Sequence, residues 1–278
     1  MSVSESFFNQ EYNPRLSVID HLQIMQGWQQ KSELARANAD CMLDIPYGPD
    51  QDEKIDVFFS DKKNSPCLIF IHGGYWRGSD KSEFAFIAKE FASRGINVFV
   101  MNYALAPRVQ LETIVEQVCR GTQWVYDHAS DYGANPQELY ITGHSAGGHL
   151  AAMMMAHNWE NFEKSIIKGA LPISGLFDLE PLMQASFIQP ILQLDEARAR
   201  HLSPIYKKPF GKIPFWTGVG GDESNAFHSQ SQLLAESWNE SFQGVIPMPN
   251  CNHFTVMDEL ANPRSALHQA VLKMMNLD

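Results

Sequence analysis

Glu138-Leu139-Tyr140-Ile141-Thr142-Gly143-His144-Ser145-Ala146-Gly147-Gly148-His149-Leu150-Ala151 decides how this chain is read. Residues 138–142 alternate and favour extended structure, so they read as a strand. Residues 148–156 are apolar but for His149 and read as a buried helix. Between them lies Gly-x-Ser-x-Gly, a sharp turn that presents one serine at its apex. The serine there takes a strained backbone conformation, and a side chain two residues to either side would collide with the neighbouring strand or helix.

Outward from this turn the chain alternates strand and helix. Upstream, 67–71 (Cys-Leu-Ile-Phe-Ile) is a continuous apolar run, as expected for a strand buried on both faces. A helix is expected over 81–93, a strand over 96–100 and a helix over 111–129. Downstream, strands are expected over 168–173, 213–219 and 244–248, with helices near 227–239 and 264–275. Before this series, 18–39 reads as a helix, and 41–47 and 54–59 as strands separated by the turn signal Gly48-Pro49-Asp50. Such alternation implies a mostly parallel sheet flanked by helices, and the serine turn makes it an α/β-hydrolase fold. One domain is expected over 1–278, with a helical segment over about 1–40. The stretch of about 178–208, rich in Leu, Gln and Pro, reads as a helical cap insertion over the active site.

A serine hydroxyl needs a base to take its proton and an acid to hold that base. In this fold the order is serine, acid, histidine, each on a loop after a strand. His253, in Asn250-Cys251-Asn252-His253-Phe254, follows the last apolar strand and precedes a helix, which is the place of the base. His228 and His268 fall inside predicted helices. The acid belongs after the strand at 215–219, where Asp222 and Glu223 are adjacent. Neighbouring side chains diverge, so only one can reach His253. Position favours Glu223, three residues after Gly220, with Asp222 as the alternative. His72-Gly73-Gly74-Tyr75-Trp76 follows the buried strand directly. Its glycines let backbone N–H groups turn toward a developing oxyanion, so Gly73 and Gly74, completed by the N–H of Ala146, are the candidate oxyanion hole. Tyr75, Trp76, Phe177, Phe187 and Trp216 are candidates for a substrate-pocket wall. His144 and His149 are five apart with no second ligand pair, so neither a metal nor another cofactor is expected.

Composition narrows the partners. Net charge is -11, which repels phosphate backbones and anionic lipid, so neither nucleic acid nor membrane is expected, only a small-molecule substrate. No apolar run approaches a membrane span. The start, 1–6, has no basic or apolar leader, and four scattered cysteines lack disulfide or metal spacing. A reducing, cytoplasmic location is the expectation, with a homodimer left open.

The motifs His72-Gly73-Gly74-Tyr75-Trp76 with Lys81-Ser82-Glu83-Phe84, and Gly143-His144-Ser145-Ala146-Gly147-Gly148-His149-Leu150, resemble those of the serine-dependent arylformamidases (kynurenine formamidases). These belong to the wider group of HGG-type esterases. The likeness extends to Glu11-Tyr12-Asn13, to 43–48 and to Ser174-Gly175-Leu176-Phe177-Asp178-Leu179. It implies hydrolysis of N-formylkynurenine to kynurenine and formate without a metal, through a formyl-enzyme. It also implies Ser145 as nucleophile, His253 as base, and Gly73, Gly74 and Ala146 as oxyanion hole. Many members place the acid four residues before a Phe, as Glu223 stands before Phe227, although with Asp in place of Glu. A short-chain carboxylesterase would use the same machinery with a different pocket. A non-catalytic binding protein on this fold would lack it.

Overall fold

The computed structural model describes the backbone of residues 3–160 and 162–277, and side chains from residue 6 onward within that range. Met1 and Ser2 lie outside the described residues. Among the described residues, eight strands form one sheet: β1 (Cys41–Pro46), β2 (Lys54–Phe58), β3 (Ser65–Ile71), β4 (Asn97–Met101), β5 (Ala134–His144), β6 (Ile167–Ile173), β7 (Phe215–Gly220) and β8 (Phe242–Met248). Their spatial order is β1-β2-β4-β3-β5-β6-β7-β8. Only the β1–β2 and β2–β4 pairings are antiparallel; from β4 to β8 every neighbour is parallel. This is the α/β-hydrolase fold.

Period-two alternation explains the continuous apolar strands. β3 sends Cys67, Ile69 and Ile71 to one face and Leu68 and Phe70 to the other. β4 does the same with Phe99 and Met101 against Val98 and Val100. Each face is covered by helices. The first lies under α5 (Leu111–His128), α6 (Ala146–Ala156) and α9 (Asn225–Ser237). The second lies under α3 (His21–Asn38), α4 (Ala85–Ala92), α10 (Val256–Ala261) and α11 (Ala266–Met274). Each fully buried large aliphatic or Phe side chain contributes roughly 1.5–3 kcal/mol, so the double-faced core dominates stability.

The helix expected over 81–93 is broken in two. Lys81–Glu83 is a single 3₁₀ turn, and α4 starts at Ala85 after Phe84. Asp80 caps the start of the turn: its side chain accepts from Ser82 N while Glu83 reaches back to Asp80 N, a reciprocal capping box.

Two segments lie outside the sheet-and-helix alternation. Ahead of α3, α1 (Val3–Tyr12) and the short α2 (Pro14–Ser17) run onto the body. α1 is fastened to the start of α9, because Glu11 Oε2 accepts from Ala226 N at 2.9 Å and Ser224 Oγ donates to Glu11 O at 2.5 Å. Between β6 and β7 come the 3₁₀ turn Glu180–Gln184, α7 (Gln189–Leu192), α8 (Glu196–Leu202) and the 3₁₀ turn Pro204–Tyr206. Leu182, Leu192, Leu194 and Leu202 of this insertion are buried in the first-face core. No helix among the described residues is long and apolar enough to cross a membrane.

Parallel register puts the carboxyl ends of the central strands on one edge. Ile71 pairs with both Met101 and Gly143, His144 with Ile173, and Gly220 with Met248. The loops leaving this edge carry His72–Trp76, Ser145, Ser174, Glu223 and His253, so topology alone gathers the candidate residues.

Candidate active site

Ser145 sits between β5 and α6 at φ 56 and ψ -119, a conformation that non-glycine residues rarely adopt. The turn admits no side chains beside it. A Cβ on Gly147 would lie 2.0 Å from Ile71 O, and one on Gly143 would lie 2.3 Å from Gly147 O. The strained serine is pinned by its own backbone: Ser145 N donates to Ile173 O at 2.8 Å, and Ser145 O accepts from His149 N at 3.1 Å.

His253 is buried and lines the same cavity as Ser145. Its Nδ1 lies 2.6 Å from Glu223 Oε2. The carboxylate can only accept, so Nδ1 carries a proton, and in the neutral ring Nε2 is the nitrogen with the lone pair. Glu223 is itself fixed by two more donors on its other oxygen, Ser174 Oγ at 2.5 Å and Gly220 N at 2.7 Å. Asp222 is exposed, and its backbone N–H donates to Cys251 O at 2.9 Å. The alternative acid therefore does not meet His253: the tight turn after β7 sends the second of the two adjacent carboxylates inward and leaves the first in solvent. Phe227 and His144 flank the His253 ring at centroid distances of 4.5 and 4.7 Å. Burial, then the neighbouring His253, hold His144 well below the ordinary histidine range, so it is neutral.

The loop after β3 supplies donors. Gly74 takes φ +107, and the N–H groups of Gly73, Gly74 and Ala146 meet no acceptor among the described residues. A Cβ on Gly73 would come within 2.8 Å of His144 O and 3.0 Å of Ser145 Cβ, so only glycine lets this loop lie against the serine. His72 braces the loop. Its ring lies between Tyr103 and Phe84, with Nδ1 2.8 Å from Gly73 O and Nε2 3.0 Å from Asn102 Oδ1. Tyr103 Oη donates to His72 O at 2.8 Å, which ties the loop after β4 to the loop after β3.

The cavity beside Ser145 holds about 410 Å³. Met25, Trp28, Phe84, Phe187, Ile191 and Phe254 give it an apolar side, and Tyr75 and Phe187 are the expected wall residues that line it. Three other expected wall residues do not reach it. Trp76 is fully buried and packs edge-on against His149 at 5.0 Å. Phe177 is fully buried in the first-face core. Trp216 packs on the second-face core near Gly244; at about 3.3 Å per residue it stands some 13 Å before the strand's carboxyl end. The walls instead come from unanticipated places: Asn13, Pro14 and Arg15 around α2, Met25 and Trp28 in α3, Arg77, and Ile191 in α7. Sequence reasoning misses Ser174, which orients Glu223; the signal that could find it is its place directly after β6 on the same edge. Among the described residues, no group of three or more His, Cys, Asp or Glu is placed to hold a metal ion.

An imidazole backed by a carboxylate, a strained serine, and Gly73 and Gly74 thus line one aromatic-walled cavity, with Ala146 directly after the serine. Such a set can attack a carbonyl and hold the resulting oxyanion. The BD-FAE family matches residues 55–178. The chain is 30% identical to a kynurenine formamidase from Salmo salar, over 98% of this chain and 95% of that protein. It is 31% identical to a kynurenine formamidase from Drosophila melanogaster, over 91% and 88%. A solved structure from Silicibacter sp. TM1040 superposes with a TM-score of 0.85 at 26% identity, covering 96% of this chain and 98% of that one.

Proposed function

The chain belongs to the kynurenine formamidase family of α/β-hydrolases and is a hydrolase; on that premise we propose that it cleaves an aryl formamide, N-formylkynurenine, through a formyl-enzyme. Ser145 Oγ attacks the formyl carbon as His253 Nε2 takes its proton, and the imidazolium is stabilised by Glu223. The N–H groups of Gly73, Gly74 and Ala146 receive the oxyanion. As the C–N bond breaks, His253 returns that proton to the departing arylamine. A water, deprotonated by the same nitrogen, then attacks the formyl ester; formate leaves and the proton goes back to Ser145.

The observation that carries this reading is the 2.6 Å contact of Glu223 with His253 at the wall of the cavity that also holds Ser145. Substrate shape fits the same cavity. A formyl group needs little room at the serine, while the aryl leaving group needs the apolar space that Trp28, Phe84, Phe187 and Phe254 enclose. The test is kcat/KM on N-formylkynurenine and on p-nitrophenyl butyrate, with Ser145→Ala as control. A preference for the formamide that the variant abolishes supports the proposal. A preference for the ester replaces it with a short-chain carboxylesterase.

A further inference from the structure

Charge in the cavity is one-sided. Besides histidines, its charged lining consists of Arg15 and Arg77, and no Asp or Glu is among the lining residues. Neither guanidinium forms an ion pair among the described residues, whereas Arg108, Arg120, Arg198 and Arg200 each meet a carboxylate. Arg77 is half-buried and anchored: its Nη1 donates to Phe187 O at 3.2 Å and its backbone N to Gly74 O at 3.1 Å. Arg15 is exposed on α2. The two cations feel one another; burial, and then Arg15, pull Arg77 below the ordinary arginine range. Two like charges line one cavity in a chain of net charge -11; Glu83 feels Arg15, but neither guanidinium is paired with a carboxylate, so an anion can be received there.

We propose that Arg15 and Arg77 form a carboxylate subsite, so that the enzyme selects aryl formamides bearing a carboxylate on the leaving group and ignores an accompanying ammonium. The inference rests on the formamidase reading for its choice of substrate. Its second half follows from the lining, which holds no carboxylate to meet an ammonium. A guanidinium matches a carboxylate in charge and in fork geometry, and the apolar residues of the same cavity receive the ring.

The experiment compares N-formylkynurenine, its methyl ester, and 4-(2-formamidophenyl)-4-oxobutanoate, which keeps the carboxylate and lacks the amine. Wild type, Arg77→Gln, Arg15→Gln and Arg77→Lys are assayed, and the binding of kynurenine and its methyl ester is measured by calorimetry. In the wild type, the acid and the deaminated acid are expected to share one kcat/KM within about threefold, with the methyl ester lower by about tenfold to a hundredfold, the worth of a charge-assisted bond. Arg77→Gln should bring the acid-to-ester ratio toward one, mainly through KM, and Arg77→Lys should restore part of it. Equal use of acid and methyl ester by the wild type, or an unchanged ratio in both glutamine variants, overturns the subsite. So does a deaminated acid as poor as the methyl ester. If no formamide is turned over, the formamidase reading falls by itself. Calorimetry still decides the subsite, which stands only if kynurenine binds more tightly than its methyl ester and Arg77→Gln removes the difference.

Discussion

Replacing Glu223 by Gln tests the site at its most constrained point. Oε1 accepts from Gly220 N at 2.7 Å and from Ser174 Oγ at 2.5 Å, while Oε2 faces His253 Nδ1 at 2.6 Å. A backbone N–H can only donate, so the amide oxygen of Gln must occupy the Oε1 place and its NH₂ must face His253. Nδ1 must then accept, which moves the ring proton to Nε2 and removes the lone pair that would deprotonate Ser145. A wrong-tautomer histidine in a serine triad costs on the order of 10⁴ in kcat, about 5 kcal/mol in the barrier. The hydrogen bonds are exchanged and not lost, so Tm should stay close to wild type. Glu223→Asp withdraws the carboxylate by about 1.5 Å, which breaks the 2.6 Å contact and should also cost activity. Exposed Asp222 serves as the control, with Asp222→Asn expected within twofold of wild type. The assay is kcat on N-formylkynurenine, with thermal melts of each variant. The reasoning is refuted if Asp222→Asn is as impaired as Glu223→Gln, or if Glu223→Gln stays within tenfold of wild type.

Gly147→Ala puts a Cβ 2.0 Å from Ile71 O, so soluble yield and the cooperative melt should be lost; Gly27→Ala meets nothing within 4 Å inside α3 and should add about 0.5–1 kcal/mol in urea unfolding. Lys81→Met strips the cation that lies 2.7 Å from buried Asp56 and 2.9 Å from Asp44, and urea unfolding should show a loss of about 3–5 kcal/mol. His149 is fully buried, and burial brings it down from 6.5 to about 4. The unfolded chain therefore binds the extra proton first, and stability present above pH 6.5 is lost as pH falls toward 4, by roughly 3 kcal/mol. Unfolding free energies measured between pH 7.5 and 4.5 should slope accordingly, and the slope should flatten in a folded His149→Gln variant.

Legibility followed the range of the forces involved. The central strands are readable because both faces are buried, which writes unbroken apolar runs such as 67–71. The serine turn is readable because backbone crowding at Gly143 and Gly147 leaves no choice of residue. The cavity wall is different. α1 and α2 acquire their role by docking, with Glu11 holding α9 and Asn13 capping α2, and nothing in their local pattern announces a pocket. Trp216 is a pocket-wall residue type placed second in its strand, too far from the carboxyl end to reach the cavity. Phe177 misled because its segment turns inward: Gln230 Oε1 accepts from the N–H groups of both Phe177 and Asp178 at 2.7 Å. The choice of Glu223 over Asp222 rested on a three-residue offset, and the three donors around its carboxylate give that offset a physical cause.

Backbone strain ties these parts together. Ser145, Ser174, Tyr75 and Trp76 all take positive φ, at 56, 48, 52 and 54, and all lie on the loops at one sheet edge. Each such residue costs on the order of 1–3 kcal/mol, and three of the four are held by a short bond to a neighbouring segment. Ser145 N reaches Ile173 O at the end of β6, Ser174 N reaches Gly218 O in β7, and Trp76 O takes Ala106 N from the loop after β4. The strained residue of one strand is thus held by the frame of the next. Relaxing Ser174 would withdraw its hydroxyl from Glu223, and relaxing Ser145 would turn the serine away from the cavity. Rigidity of the parallel sheet is therefore part of the site, because its edge supplies the fixed acceptors and donors that keep these loops in conformations they would not otherwise adopt.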